Sequence, residues 1–457
     1  MKRTKVKLQL QSPSISMDGS AIMLSEAIAK KWKIPLRQSL QLQYGSYQQE
    51  VMVVPVSQTA SVMRISEPLL SRWGLTHGDQ LCLQYRPGTR QLLIGPLIGV
   101  LVSRVYTSNP DKPFGASTAF TRELTDACKL YGAAVFFCTP DDVQSQSETI
   151  RGWQYTNKWV RSTFPIPNVI YNRLTSRKLE NQVNVQQFLG YAKSEHSAIF
   201  FNEKYLNKTE VFDALRKESG LQVYLPESYL LKSPQLLKMM CVKHPVVFLK
   251  PITGSLGKGI IRIRRNPEGT YTCHFTDLSG ARRQSYPSLS TLFSAISGKI
   301  KSQNYQIQQG INLLTVGGRP VDFRALVQRD EAGAWKITSI VARIAGNDHF
   351  VSNLARGGTL STVKEALSRA GTAAASGGYS KLQLAALRIA KGIETQVSGH
   401  FAELGIDLAL DTQGRVWLIE VNSKPSKDDN TPLSAEERKI RPSVKRLVQY
   451  ARFISKF

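Results

Sequence analysis

Two stretches near the start of the chain align without a gap at a shift of 41 residues, and this repeat constrains the fold more than any other feature. Residues 24–55 read LSEAIAKKWKIPLRQSLQLQYGSYQQEVMVVP, and residues 65–96 read ISEPLLSRWGLTHGDQLCLQYRPGTRQLLIGP. Ser25/Ser66, Glu26/Glu67, Trp32/Trp73, Leu40/Leu81, Leu42/Leu83, Gln43/Gln84, Tyr44/Tyr85 and Pro55/Pro96 match. Each unit reads as a short helix ending near its Trp, a turn, and two alternating strands. Neither unit can bury its apolar face alone. The two should therefore pair about a pseudo-two-fold axis into a small β-barrel over residues 1–96.

The second unit's Trp-Gly-Leu-x-x-Gly-Asp-x-Leu pattern, Trp73 to Leu81, resembles the swapped-hairpin or double-psi barrels. Some of that class bind DNA. Docking of a protein, or self-association, is an equally good use of such a barrel.

The chain has 457 residues, which suggests about three domains at roughly 150 residues each. Lys and Arg number 60 against 34 Asp and Glu, a net charge of +26. That favours anionic partners without choosing among them. Nucleic acid is disfavoured, because the basic residues are not interleaved with aromatics. No apolar run is long enough for a transmembrane helix. The basic start MKRTKVKLQL lacks the apolar stretch of a secretory signal. Five single cysteines without CxxC spacing point to a reducing, cytoplasmic setting. The last 20 residues are basic, with Val444, Leu447, Val448, Ala451 and Ile454 at helical spacing. This tail reads as a helix docked on its own domain rather than on a membrane.

From residue 97 to about 200, apolar runs alternate with helical stretches. Ile98–Ser103, Ala133–Cys138 and residues 168–174 read as strands, and Arg177–Lys193 as a helix. The expected architecture is βαβ. Residues 201–457 form the third expected unit, which begins with a helix closed by Gly220 and then a strand.

Residues 246–265, VVFLKPITGSLGKGIIRIRR, place a glycine loop between two strands. The order fails both the dinucleotide fingerprint and the P-loop pattern. Gly254, Ser255, Gly257, Lys258 and Gly259 can still lay backbone N–H groups against phosphates. Lys250, ahead of the loop, would reach the same anion. A protein kinase would need its lysine after the loop, so that class is excluded.

Residues 405–425, GIDLALDTQGRVWLIEVNSKP, read as a hairpin. A two-residue turn at Gln413–Gly414 sets Asp407 opposite Glu420, with Asn422 on the same face. A four-residue loop keeps the three together, whereas a three-residue loop flips the pairing. Directly opposed carboxylates repel. Two carboxylates and an amide oxygen are hard donors suited to Mg²⁺ shared with phosphate.

In this order the pieces resemble the ATP-grasp superfamily over about residues 97–430. Lys208 in LNK and Lys250 match its phosphate lysines. Tyr305–Ile311 (YQIQQGI) resembles the adenine-holding hinge and offers Gln308 and Gln309. Val321–Val327 (VDFRALV) resembles the segment that directs an arginine, here Arg324, at phosphate. The run VARIAGNDHFVSNLARGG from Val341 resembles ligases that add glutamate to protein ends. In it Arg343 would face the transferred phosphoryl, with Asn353 and Arg356 on the acceptor side. Asp407, Glu420 and Asn422 match the metal-binding set. More closely, IYNRLTSRKLE, LKPITGSLGKGI, QQGINLLTVGGRPVDFRALVQ and EVNSKPS resemble the YheC/YheD-like family, described as endospore coat-associated.

The resemblance implies an α/β (α+β) ATP-grasp fold behind the small β-barrel, with ATP and Mg²⁺ as cofactors. It implies that a carboxylate is activated as an acyl-phosphate, which an amine then attacks. The basic surface suits an acidic peptide or cell-envelope precursor as acceptor. Ala370–Ser380 reads as a loop that could cover it. His349 and His400 receive no role. Three functions compete. They are a carboxylate–amine ligase of sporulation, a non-catalytic ATP-binding assembly protein of the spore coat, and a DNA binder acting through residues 1–96.

Overall fold

The structure is a computed structural model. It describes residues 2–11, 20–58, 60–252, 259–277, 280–302, 304–346, 357–371, 375–427 and 440–457. Residues 1–96 close into a barrel. Its strands run in the order Lys2–Leu10, Val62–Ile65, Ala21–Ser25, Tyr47–Val56, Ser39–Tyr44, Gln91–Gly95 and Gln80–Arg86, and the last pairs back to the first. The two repeats meet through Ala21–Ser25 and Val62–Ile65, which pair antiparallel. The strand Lys2–Leu10 lies outside the repeat. It stands beside Val62–Ile65 and Gln80–Arg86 as Tyr47–Val56 stands beside Ala21–Ser25 and Ser39–Tyr44. Both repeat tryptophans, Trp32 and Trp73, are buried in the barrel core.

The next sheet has the order Trp159–Pro165, Thr149–Tyr155, Ala134–Cys138, Leu97–Leu101, Val169–Asn172 and Ile199–Phe201. The last four are parallel, as βαβ units require. The antiparallel hairpin Thr149–Pro165 was not foreseen. Arg177–Lys193 is two helices, Arg177–Glu180 and Val183–Ser194. One face of this sheet shares a core with the barrel through Phe136, Phe164 and Ile170. The other face is covered by the helices Thr118–Tyr131 and Pro442–Ile454. The basic tail therefore docks on the chain itself, burying Val444, Leu447, Val448 and Ala451. Among the described residues no helix is long and apolar enough to cross a membrane.

The barrel meets the sheet tightly. Gly74 has φ of +65°, and a Cβ there would lie 2.3 Å from Phe164 Cε1. Gly74→Ala should therefore lower stability by about 1–3 kcal/mol, read by thermal denaturation. An unchanged midpoint would show that this seam is loose.

Two further lobes follow. One sheet runs Ser228–Leu230, Tyr305–Gln309, Val246–Pro251, Ile261–Arg265, Tyr271–Asp277 and Gly280–Tyr286. The other runs Thr359–Thr362, Trp335–Ile344, Arg319–Arg329, Glu403–Leu410 and Val416–Asn422. The glycine loop joins two antiparallel strands, as read from the sequence. Gly220 does not close the helix Lys208–Arg216. It lies within a separate turn of helix, Ser219–Gln222, and does not take the positive φ of a left-handed stop. The expected loop Ala370–Ser380 is shorter than read. Ala370 ends one helix and Gly378–Ser380 begin the next.

Candidate functional site

The hairpin Glu403–Asn422 reaches its register by an indirect route. Asp411 N donates to Arg415 O (3.0 Å) and Gly414 N to Asp411 O (3.0 Å). They enclose a three-residue loop in which Gly414 takes φ of +77°. Leu410 accordingly faces Val416, and Leu408 faces Leu418. Such a loop alone would turn Glu420 to the wrong face. A bulge at Ile419 absorbs one residue, so Asp407 faces Glu420 and Gly405 faces Asn422. All three oxygen donors thus share one face.

That face is crowded with cations. Arg324 lies opposite Asp407 on the neighbouring strand and grips its carboxylate with Nε and with Nη2, the latter at 2.9 Å. Arg343 Nη2 lies 3.0 Å from Asp407 Oδ2 and 2.9 Å from Asp322 Oδ2. Burial works to raise the Asp407 carboxyl, but Arg324 and Arg343 outweigh it and hold it below the usual aspartate range. Gly405 makes room for this, since a Cβ there would meet Pro425 at 3.0 Å and Arg324 Cδ at 3.6 Å. Asp322 and Gly405 were not assigned roles from the sequence. Asp322 and Arg324 alternate on one strand, and that alternation was the available signal.

Lys208 opens the helix Lys208–Arg216. Asn207 caps that helix by accepting from Thr209 N at 2.9 Å. Lys208 Nζ lies 3.7 Å from Glu420 Oε1. Lys250 projects from the facing lobe and donates to Gln308 Oε1. Burial lowers the Lys250 ammonium to about 8, Lys208 adds to the fall, and Glu420 and Asp407 oppose it. Lys208 thus sits beside Glu420, and Lys250 lies within the electrostatic reach of Lys208, Glu420 and Asp407.

Gln308 is buried, and its Nε2 has no hydrogen-bond partner. A buried orphan donor is costly and suits a ligand acceptor. Gln309 differs, because its Oε1 accepts from Glu227 N at 2.8 Å and ties the hinge to its neighbouring strand. Gly259 has φ of +71°, and its carbonyl accepts from Tyr305 Oη at 3.2 Å. Gly254, Ser255, Gly257, Lys258, Asn353 and Arg356 lie outside the described residues. His400 bonds to Tyr450 Oη, away from this face.

The donors fit a hard cation. Asp407, Glu420 and the amide oxygen of Asn422 share one face of a two-stranded ribbon, and Asp407 would have to trade its arginine partners for the ion.

The chain matches the family described as YheC/D like ATP-grasp over residues 197–454. The endospore coat-associated protein YheD of Bacillus subtilis (strain 168) is 29% identical over 335 residues, covering 73% of each chain. The endospore coat-associated protein YheC of the same organism is 23% identical over 334 residues, covering 70% of this chain and 88% of that protein. The solved structure of the ATP-grasp ligase PsnB with minimal precursor aligns at 12% identity and a TM-score of 0.44. That alignment covers 78% of this chain and 99% of that one.

Proposed function

This chain belongs to the YheC/D-like ATP-grasp family, and from that premise we propose that it is an ATP- and Mg²⁺-dependent ligase that joins a carboxylate to an amine through an acyl-phosphate. The observation that carries the reading is the register of Asp407 with Glu420, with Asn422 on the same face and Lys208 3.7 Å from Glu420. Its setting, by likeness to its relatives, is sporulation and the spore coat, with the protein made and folded in the cytoplasm.

In this reading Asp407, Glu420 and Asn422 hold Mg²⁺, which when bound offsets phosphate charge. Lys208, Lys250 and the loop from Gly254 to Gly259 hold the triphosphate. The free Nε2 of Gln308 meets an acceptor atom of the base. Arg324 and Arg343, now engaged with Asp407, are positioned to exchange that partner for the charge that develops on the transferring phosphoryl group. Catalysis of this kind is mostly positioning and charge neutralisation.

The experiment is ADP release from Mg-ATP by the full chain, given a mixed pool of amino acids and peptides. Turnover dependent on the pool supports a ligase. Intact ATP binding with no turnover on any pool leaves the assembly reading in its place.

The Lys250 ammonium supplies a separate check. Only its charged form attracts phosphate, and in the free chain that form is lost as the pH rises through about 8. ATP affinity should be level below that pH. Above it, affinity should fall by up to about tenfold per pH unit until the higher pKa of the bound state is reached. Lys250→Arg should flatten the profile measured by calorimetry.

A further inference from the structure

The Lys250 sheet presents one face to the helices Pro234–Lys243 and Leu289–Ser302, and packs Val247, Leu249, Ile261, Ile263 and Cys273 against them. The opposite face, which carries Lys250, continues outward as a row of basic side chains. Arg262 pairs with His274, and His274 with Arg283, on three successive strands. Arg264 stands two residues from Arg262 on the same face.

Arg262 and Arg283 flank His274 from the two neighbouring strands, and Arg264 stands beside Arg262, so charges of one sign crowd one face. The crowding bears on the ionisation of the row. Burial lowers the Arg262 guanidinium and Arg264 adds to the fall. Burial also lowers His274, with Arg262, Arg283 and Arg264 adding to it. Among the described residues Arg262, Arg264 and Arg283 form no ion pair. Glu268 borders the same concavity as Arg264 and Arg283, but its carboxylate accepts from Thr270 at 2.8 Å. That concavity is open and has a volume of about 650 Å³. Charges that protect a sheet edge from pairing would account for Arg283 on the outermost strand. They do not account for Arg262, two strands further in.

From Arg262 to Arg283 is two strand spacings, or about 10 Å. One carboxylate or phosphate cannot bridge that distance, so the matching ligand carries several negative charges in a line. Among the described residues this face carries only two aromatic rings, Phe248 opposite Arg262 and His274 within the row, too few for a base-stacking platform. Tyr271, Phe275 and Tyr286 belong to the core on the helix side. Among the described residues Gly280–Tyr286 is the last strand of its sheet and pairs with no further strand, so an extended chain can add to that edge.

We propose that this face binds an acidic peptide, whose carboxylates lie across Arg262, Arg264 and Arg283, and so names the class of peptide the enzyme works on. Only the peptide's part as substrate rests on the ligase reading; its binding does not.

The test is fluorescence anisotropy of a labelled deca-glutamate peptide with the full chain at low salt. The Arg262→Gln/Arg283→Gln variant should bind it at least about tenfold more weakly. Its thermal midpoint should not fall, since the change removes repulsion. Arg262→Lys/Arg283→Lys should restore binding. The proposal is overturned if the peptide does not bind, if it binds the glutamine variant as well as wild type, or if labelled oligothymidylate binds more tightly through the same two arginines. Binding of a fluorescent ATP analogue is measured alongside. Loss of nucleotide binding with the expected peptide result overturns the ligase reading alone. Normal nucleotide turnover on a peptide indifferent to both arginines overturns this one alone.

Discussion

Replacing Asp407 with asparagine should cut ADP release from ATP by at least about 10²–10³-fold, the scale of removing one well-placed electrostatic group. It should also weaken the fold. Asp407 is 5% exposed and neutralises Arg324 while sharing Arg343 with Asp322. Its loss leaves a buried guanidinium without its counter-charge, at a cost of about 3–5 kcal/mol. A drop in turnover alone is therefore ambiguous, and Glu420→Gln resolves it. The Glu420 side chain is 29% exposed, and among the described residues its one close ion pair is with Lys208 at 3.7 Å. That variant should melt near the wild-type temperature yet lose most turnover at ordinary Mg²⁺. Full activity in a well-folded Glu420→Gln chain would rule out the metal role assigned to the hairpin.

The second large effect lies outside the candidate site. Glu403 is fully buried and bonds to Lys427, to Tyr171 Oη and, at 3.1 Å, to Gln328 Nε2. Arg173 lies 3.7 Å from the same carboxylate and donates to Pro425 O at 3.0 Å. Nearby, Lys424 pairs with the buried Glu180. Lys427→Ala should cost about 3–5 kcal/mol, because a buried carboxylate loses its main partner. Lys427→Met with Glu403→Gln should recover only part of that, because the buried pair is neutralised together but Arg173 loses the carboxylate beside it. A double-mutant cycle read by thermal or denaturant unfolding measures the coupling. A single variant that unfolds like wild type would show that the pair carries no net interaction.

These contacts also explain two stretches that stood out in the sequence without a mechanism. IYNRLTSRKLE supplies Tyr171, Arg173 and Glu180, and EVNSKPS supplies Lys424 and Pro425. They are the two halves of one buried polar joint, which anchors the chain immediately after Asn422 to the preceding sheet. Nothing in either stretch alone discloses this, because the partners stand some 250 residues apart and short-range periodicity carries no such information.

The barrel was legible because a repeat imposes symmetry. The strand Lys2–Leu10 was missed because it belongs to neither repeat. The alignment of Asp407 with Glu420 came out as expected, but through a three-residue loop and a compensating bulge rather than a two-residue turn. Alternation marks which residues are eligible for a face. Only the unpaired Ile419 shows how the face was reached. The arginines were assigned to phosphate from their surroundings in the sequence. Their grip on Asp407 was not visible, since opposite charges on adjacent strands pair only once the register is known.

The placement of Pro442–Ile454 against the sheet of residues 97–201 bears on how the chain is made. When synthesis has reached residue 201, Thr118–Tyr131 covers part of the face that carries Ile98, Val100, Val135 and Phe137, but the rest of its cover is delivered some two hundred and forty residues later. Until then an oily surface stays open to solvent, inviting chaperones or self-adhesion. Shortening the chain at its far end should therefore harm the part that was translated first.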